Sequence, residues 1–297
     1  MKVVGIGDNV IDRYLNKGVM YPGGNAVNVA AHASMLGAQA AYVGELGDDL
    51  GGDIIGRALR GLGVDLSHAP VIPGATTKTC DVNVFDGERS EVGYDTGEHW
   101  AHKTSITSDD LAYMSGFDAV ITSVNAKLQN DVHKLGVIPA IVVYDFSVKD
   151  KYRTDEYFDL VCPAVTLALF SCSDEPDDVV RELLRRAIGH GCAYALATRG
   201  ARGPVLYDGS GYIDGPVSLV DAIDTMGAGD SYITAFVLSA IERGWRKDAP
   251  LDAASISRAM RDAASYSACN CMRPGGFGFE APLADMKRSR QFEEIPA

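Results

Sequence analysis

Short apolar runs alternate with amphipathic stretches along most of this 297-residue chain, and this alternation limits the possible fold more than any other feature. Short apolar runs are typical of strands buried on both faces, and the stretches between them are long enough for helices. The strand candidates are 2–7, 41–46, 119–122, 139–146, 167–171 and 194–200. The alternation therefore predicts an α/β fold with a central, mainly parallel sheet.

Two stretches between the strands carry helical patterns. In residues 25–36 the apolar side chains fall on one helical face, and Gly37 would end the helix. Ser173 is a candidate N-cap for a second helix, whose apolar stripe runs through 179–188. Both helices are expected to pack their apolar faces on the sheet.

Two segments depart from this alternation and predict a small β appendage. Residues 80–95 alternate by twos around Asp86 and Gly87, which is a β-hairpin signal. Residues 13–22, between the first strand and the first helix, have no helical pattern. Together these extended pieces could form a lid over one end of the main sheet.

The rest of the chain shows no break between domains. Residues 205–214 resemble another hairpin, which we place at the edge of the main sheet. Internal repeats, low-complexity tracts and interdomain linkers are absent from the sequence. We therefore predict a single domain, 1–297, with lid segments at about 13–22 and 80–99.

Composition excludes some classes of partner. The formal net charge of −13 would repel nucleic acid and anionic lipid. No apolar run is long enough to span a bilayer, and the N-terminus has no cleavable apolar segment. These features predict a cytoplasmic protein with no nucleic-acid or membrane partner.

The segment 217–244 carries the chemistry. We expect an apolar strand at its start and a helix at its end, with Gly227, Ala228 and Gly229 between them. Small residues before a helix leave N–H groups uncovered for a phosphate or an oxyanion, and Asp230 could accept a proton there. A tight turn with Asp230 as a helix cap explains these residues about equally well. The chain has no Walker A motif.

Two motifs in the sequence resemble the signatures of one enzyme family. Residues 224–231 read DTMGAGDS, residues 23–30 read GGNAVNVA, and residues 44–49 read GELGDD. They resemble the signatures of the ribokinase-like (PfkB) carbohydrate kinases, in the family's order and across essentially the whole chain. The resemblance implies a three-layer αβα sandwich and ATP-dependent phosphorylation of a sugar, with Mg²⁺ as cofactor.

The resemblance also implies roles for particular residues. Asp230 would be the catalytic base, and the backbone of Gly227, Ala228 and Gly229 would stabilise the transferring phosphoryl group. The residues that would contact the sugar are Asp12, Gly24 and Asn28. The residues that would contact the nucleotide are Thr198, Gly200, Gly203, Asp224 and Gly229. Without the resemblance, Asp12 would be interpreted as a cap and Asn28 as a surface residue of the helix.

The sequence departs from the family pattern near the expected metal site. Where the family carries N-x-x-E, this chain has Ser171 and Asp174, so Asp174 is a candidate holder of a Mg²⁺-bound water, with a helix cap as the alternative. Asp224 matches the family's monovalent-cation site, which makes K⁺ a possible cofactor. The family also uses its lid as a dimer surface, so a homodimer through the lid is possible.

Several short segments together resemble the fructoselysine 6-kinase branch of the family. They are GDNVID (7–12), GGNAVNVA (23–30), YDFSVK (144–149), FS (170–171) and IDTMGAGDS (223–231). The resemblance implies a substrate with an amino-acid arm, whose charged ends could meet Arg13, Glu91, Asp95 or Glu98. The alternatives are a kinase for ribose, fructose, a keto-acid sugar or a nucleoside, and a catalytically weak sugar-responsive binding protein.

Overall fold

The computed structural model describes residues 1–85 and 87–286. Asp86, predicted at a hairpin tip, and residues 287–297 of the predicted domain lie outside the described residues. In chain order the described strands are β1 (Lys2–Ile6), β2 (Val10–Tyr14), β3 (Val19–Gly23), β4 (Gln39–Val43), β5 (Leu46–Gly47), β6 (Val71–Ile72), β7 (Thr79–Phe85), β8 (Glu88–Asp95), β9 (Ala119–Ser123), β10 (Ile141–Asp145), β11 (Leu167–Ser171), β12 (Tyr194–Thr198), β13 (Val205–Tyr207), β14 (Tyr212–Asp214) and β15 (Ala281–Pro282). The described α-helices are α1 (Asn25–Met35), α2 (Leu50–Gly61), α3 (Ser108–Met114), α4 (Asp155–Val161), α5 (Asp177–Gly189), α6 (Ala228–Glu242) and α7 (Ala253–Cys271).

The main sheet runs in the order β14-β13-β12-β11-β10-β9-β1-β4. The pairs from β12 to β4 are parallel, and the hairpin β13–β14 is antiparallel at one edge. The predictions of a mainly parallel sheet and of an edge hairpin at 205–214 are confirmed. Parallel strands end at a common edge, and ligands of open α/β sheets bind outside that edge.

Helices cover both faces of this sheet. Alternate strand residues point to opposite faces, so Val3 joins the core under α1, α2, α6 and α7, whereas Val4 joins the core under α3, α4 and α5. The result is the predicted three-layer αβα sandwich. Helix α1 is buried on every side from Asn25 to Ala33, because the sheet, α6 and the lid enclose it. Polar side chains at its start are therefore inside the molecule.

A second sheet, in the order β15-β3-β2-β7-β8, forms the lid. It contains both of the extended segments that broke the sequence pattern, and the hairpin predicted at 80–95 is confirmed as β7 and β8. We call this five-stranded sheet the lid sheet. It lies beside the carboxyl end of the main sheet because β2 and β3 follow directly from β1.

Ser173 does not cap α5, so that prediction is wrong. The helix begins at Asp177 with Pro176 in the N-cap position. The fixed φ of proline suits the entry to a helix, and the acidic residues Asp177 and Asp178 favour its first turn. The carbonyl of Ser173 instead accepts a hydrogen bond from Arg202 at 3.0 Å.

The strand expected at 217 is also absent from the structure. Residues 215–222 are irregular, and Leu219 is 72% exposed. Pro216 has no N–H to donate to a strand ladder, so β14 ends at Asp214. The predicted strand 41–46 is likewise divided, since β4 ends at Val43 and β5 begins at Leu46.

Candidate active site

The carboxylate of Asp230 is held by two amides from the start of α1. Asn25 Nδ2 donates to Oδ1 of Asp230 at 2.5 Å, and Asn28 Nδ2 donates to Oδ2 at 2.7 Å. Asp230 lies in the first turn of α6, so the site joins the beginnings of two helices. A carboxylate with both oxygens fixed in this way is oriented before any substrate arrives.

Gly24 allows α1 to begin at this position. Its φ of 103° is one that only glycine adopts easily, and a Cβ there would lie 2.7 Å from the Cα of Asn9. The chain can therefore turn sharply from β3 into α1. This turn directs Asn25 and Asn28 toward Asp230.

Two further carboxylates lie close to Asp230. Asp8 follows β1 and accepts a hydrogen bond from the backbone N–H of Asn25 at 3.2 Å. Asp145 ends β10 and accepts from Asn25 Nδ2 at 3.3 Å. Asn25 therefore bridges Asp145 and Asp230, and three acidic groups share one region of low water access.

This environment raises the pKa of all three carboxyl groups. Burial, together with the negative charges of Asp145 and Asp8, raises the pKa of Asp230 to about 7, although the amides of Asn28 and Asn25 oppose the rise. Burial also raises the pKa of Asp145 to about 6 and raises that of Asp8 above its usual range. A carboxyl with a pKa near neutral pH is suited to act as a general base.

The pH dependence of turnover should follow the pKa of Asp230. A base works only when deprotonated, so kcat/KM should be level above pH 7 and fall about tenfold per pH unit below it. Asp145→Asn removes a negative charge, lowers the pKa of Asp230 and should move the acid limb to lower pH. Asn25→Ala removes a hydrogen bond to the carboxylate and should move the limb to higher pH. Shifts in the same direction for both variants would contradict the assignment.

The loop before α6 leaves room for an anionic group. Gly227 precedes the helix with a φ of 70°, and no described side chain caps the helix start. A Cβ at Gly229 would meet nothing within 4 Å, so this part of the first turn is open. The Ala228 N–H donates to the carbonyl of Thr225 at 3.2 Å, and the N–H of Gly229 is left to attract negative charge at this open helix start. Asp230 and the backbone at 227–229 thus face the same space.

Asp12 and Arg13 point to opposite sides of the lid sheet, because successive residues of β2 alternate. Asp12 is 3% exposed and forms no hydrogen bond with any side chain or backbone group that the structure describes. Arg13 forms an ion pair with Asp81 of β7, with Nε 2.5 Å from Oδ1. Its guanidinium is therefore engaged within the lid sheet, on the face away from Asp12. Binding of substrate by either residue stays a prediction.

Asp224 is completely buried and joins three segments. Its Oδ2 accepts from the Tyr14 hydroxyl at 2.6 Å and from the Gly275 N–H at 2.8 Å. Its Oδ1 accepts from the N–H of Met226 at 3.0 Å. We call residues 225–229 the catalytic loop. The lid sheet, the loop after α7 and the catalytic loop thus meet at the carboxylate of Asp224. This geometry gives Asp224 a structural role and does not itself favour the predicted contact with a cation or nucleotide.

The predicted nucleotide residues lie at the carboxyl edge of the main sheet. Thr198 ends β12, and Gly200 and Gly203 follow with φ values of 55° and 74°. Arg199, which lies between Thr198 and Gly200, donates a hydrogen bond from Nε to the carbonyl oxygen of Gly203 at 2.8 Å. The edge that ends at Thr198 is continuous with the ends of β11 and β10 and with Asp145.

Asp174 and Glu175 differ in their surroundings. Asp174 is exposed and has no hydrogen bond or ion pair to any residue that the structure describes. Glu175 pairs with the buried Arg153 at 2.6 Å, and the same guanidinium donates to the carbonyls of Ser147 and Ser171. The carboxylate of Asp174 is therefore exposed and unpaired among the described residues. Its contact with the water shell of a metal ion stays a prediction.

The sequence motifs did not assign a role to Asp8, Asn25 or Asp145. One signal was available, because Asp8 and Asp145 directly follow or end apolar runs that become parallel strands. Carboxyl ends of parallel strands meet at one edge. Asn25 gave no such signal, since nothing in its local sequence shows that it faces Asp230.

Comparison with known proteins agrees with this geometry. Residues 2–278 match the pfkB family carbohydrate kinases. The chain is 34% identical over 284 residues to the fructosamine kinase FrlD of Bacillus subtilis (strain 168), covering 95% of each protein. It is 30% identical to the fructoselysine 6-kinase of Escherichia coli (strain K12), covering 78% of this chain and 86% of that protein.

Solved structures share the fold. The fructokinase of Xylella fastidiosa with bound ATP superposes with a TM-score of 0.79 at 20% identity, covering 99% of both chains. The aminoimidazole riboside kinase of Salmonella enterica superposes with a TM-score of 0.73 at 19% identity, covering 98% of this chain and 99% of that one. The chain belongs to the pfkB family of carbohydrate kinases, and it is an enzyme of ATP-dependent sugar phosphorylation. No helix in the described residues is both long and apolar enough to cross a membrane.

Proposed function

We propose that this enzyme transfers the γ-phosphoryl group of ATP to the 6-hydroxyl of a fructosamine such as fructoselysine, with Asp230 as the base. The observation that carries the proposal is the fixed carboxylate of Asp230 beside the open start of α6. The acceptor class follows from the two relatives at 34% and 30% identity, whose names specify fructosamine and fructoselysine.

The proposed reaction needs one proton acceptor and one anion-stabilising surface. Asp230 takes the proton of the 6-hydroxyl as the oxygen forms a bond to the γ-phosphorus, and the bond to the β-phosphate oxygen breaks. The backbone N–H groups at 227–229 face the charge that develops on the phosphoryl oxygens. ADP then leaves, and Asp230 returns its proton to solvent.

The sugar would lie between the lid sheet and the start of α1. Asp12 has no partner among the described groups, so a sugar hydroxyl there would satisfy a buried acceptor. Gly24 is proposed to contact the sugar through its backbone. Asn28 is proposed to contact the sugar in addition to holding Asp230. Closure of the lid sheet would exclude water from the reacting oxygen.

The nucleotide would lie along the edge formed by Thr198, Gly200 and Gly203. Among the described residues, no three acidic, histidine or cysteine side chains are grouped to hold a metal ion. Mg²⁺ keeps several waters and is bound largely by substrate phosphates. Asp174, exposed and without a partner in the described chain, would hold a water of that shell. When bound, Mg²⁺ neutralises phosphate charge.

A comparison of acceptors tests the proposal. We expect kcat/KM for fructoselysine to exceed that for fructose, ribose or a nucleoside by about 100-fold, because a site that pairs polar groups rejects substrates lacking them. A preference for a plain sugar or a nucleoside would leave the assignment as a kinase intact but would rule out a fructosamine as the acceptor. Binding of sugars without any ATP turnover would favour the sugar-responsive binding protein.

Three further predictions concern assembly, location and a monovalent cation. Exposed apolar side chains on the lid sheet, including Leu15 and Phe85, are compatible with a homodimer through the lid. Dependence on ATP, an intracellular metabolite, supports a cytoplasmic location. Activation by K⁺ is proposed from the family resemblance alone, since both oxygens of Asp224 already accept protein hydrogen bonds.

A further inference from the structure

One face of the lid sheet is turned toward the loop before α6. Residues paired across neighbouring strands share a face, so Asp12 lies beside Cys80 and Tyr14 beside Val82. Tyr14, Cys80 and Val82 pack with Met226 of the catalytic loop. We call this side of the lid sheet the cleft face. Tyr14 and Val82 are fully buried in this packing, so the part of the face that is open to a substrate is the exposed part on β8.

A shift in register changes which residues of β8 reach the cleft face. Cys80 pairs with Tyr94, but after a one-residue shift Val82 pairs with Glu91. Val92 is the extra residue. Without it, the alternation from Tyr94 would place Val92 on the cleft face and Glu91 on the opposite one. The register shift therefore places Glu91 and Arg89 on the cleft face. Near active sites, β-bulges commonly redirect side chains in this way.

The cations of this face form no direct ion pair. Arg89 Nη1 lies 3.3 Å from Sδ of Met226, which is a weak acceptor, and Lys78 Nζ lies 5.3 Å from the ring centre of Tyr94. Neither forms an ion pair with any side chain that the structure describes. Arg13, on the opposite face, is neutralised by Asp81. In a chain of net charge −13, two cations without a direct ion pair on one face of a sheet are a specific feature.

Two acidic groups, the buried Asp12 and the exposed Glu91, lie on the same face as these cations. Asp12 is 3% exposed and makes no hydrogen bond within the described chain. Burial raises the pKa of Asp12 to about 7, while the positive charges of Arg89 and Lys78 oppose that rise. Glu91 lies on the same face, and its charge acts on Cys80 together with those of Asp12, Arg89 and Lys78. The cleft face thus carries both signs of charge within a small area.

From this arrangement we infer that the cleft face of β7 and β8 is a subsite for the amino-acid arm of the substrate, with Arg89 and Lys78 binding its carboxylate and Glu91 facing its ammonium group. The inference rests on the proposed function and narrows it to fructosamines that carry a free carboxylate. Guanidinium and ammonium groups bind carboxylates through charge-assisted hydrogen bonds. A zwitterionic arm matches paired opposite charges better than a neutral sugar does.

The test compares two acceptors with the intact enzyme. Fructoselysine carries the carboxylate and the α-ammonium group of its amino-acid arm, whereas 1-butylamino-1-deoxyfructose has the same sugar and secondary amine without either of these charged groups. We expect Arg89→Met to raise KM for fructoselysine about tenfold, with kcat and the KM for ATP within about twofold, and to leave kinetics on the butylamino sugar unchanged. Arg89→Lys should recover part of the loss, because it restores the charge without the planar fork.

Arg185→Met is the control, since it removes an exposed arginine of α5 that pairs with Glu182 and lies outside the lid sheet. It should leave both acceptors unaffected, and melting temperatures will show that each variant is folded. Equal use of both acceptors by the wild-type enzyme, or an Arg89→Met effect on ATP or on both acceptors alike, would overturn the subsite. Lack of turnover with either acceptor would instead refute the proposed function, and the subsite with it.

Discussion

Asp230→Asn is expected to lower kcat by about 1000-fold, because the variant keeps the shape of the side chain but cannot accept the hydroxyl proton. The affinity for ATP should change little, since Asp230 hydrogen-bonds only to Asn25 and Asn28 among the described residues through its side chain. A coupled assay of ADP release gives kcat, and titration calorimetry gives the dissociation constant for MgATP. The expected pattern is a catalytic defect without a binding defect.

Two companion variants make this result interpretable. Asp230→Glu retains a carboxylate displaced by one methylene and should keep part of the activity. Asp221→Asn changes an exposed acid in the segment leading to the same loop and should behave as wild type. A kcat of Asp230→Asn within about tenfold of wild type would remove Asp230 as the base.

Asp224→Ala is expected to reduce the free energy of unfolding by about 3 kcal/mol. The substitution leaves the Tyr14 hydroxyl and the N–H groups of Gly275 and Met226 without their buried acceptor. For a chain of this size the loss corresponds to a decrease in Tm of about 5–10 °C. Turnover should also fall, because the same carboxylate aligns the lid sheet with the catalytic loop.

Asp221→Ala is the matched control for this prediction, as an exposed aspartate three residues away. Calorimetric melting of both variants and of wild type, with and without K⁺, separates two roles for Asp224. Equal Tm values for Asp224→Ala and Asp221→Ala would contradict the structural role. If K⁺ strongly raises the Tm of the wild type but does not change the Tm of Asp224→Ala, the result would instead support the predicted cation site.

The sequence was sufficient to predict the layers of the fold and the residue at the centre of the site. Strands buried on both faces have a strong apolar signal, which is why 167–171 was predicted with its observed bounds. Asp230 was found because its loop has a distinctive order of small residues. The lid hairpin was found because strict alternation around Asp86 and Gly87 has few other interpretations.

The features that were missed depend on contacts between distant parts of the chain. Asn25 meets Asp230 across 205 positions, and Tyr14 meets Asp224 across 210, so no local pattern reveals either pair. Arg89 was not named from the sequence for a different reason. The side on which Arg89 emerges depends on one extra residue, Val92, and a register shift cannot be deduced from alternation alone. The absent strand at 217 shows that apolar residues beside a proline need not join a ladder.

The most direct test of the central claim is phosphorus NMR of a single reaction containing the enzyme, MgATP and fructoselysine, with Asp230→Asn run in parallel. The account predicts ADP and a phosphate monoester on the 6-oxygen of the sugar in equal amounts with the wild-type enzyme, and neither product at a comparable rate with the variant. Release of inorganic phosphate without a sugar monoester, or equal monoester formation by both enzymes, would contradict it.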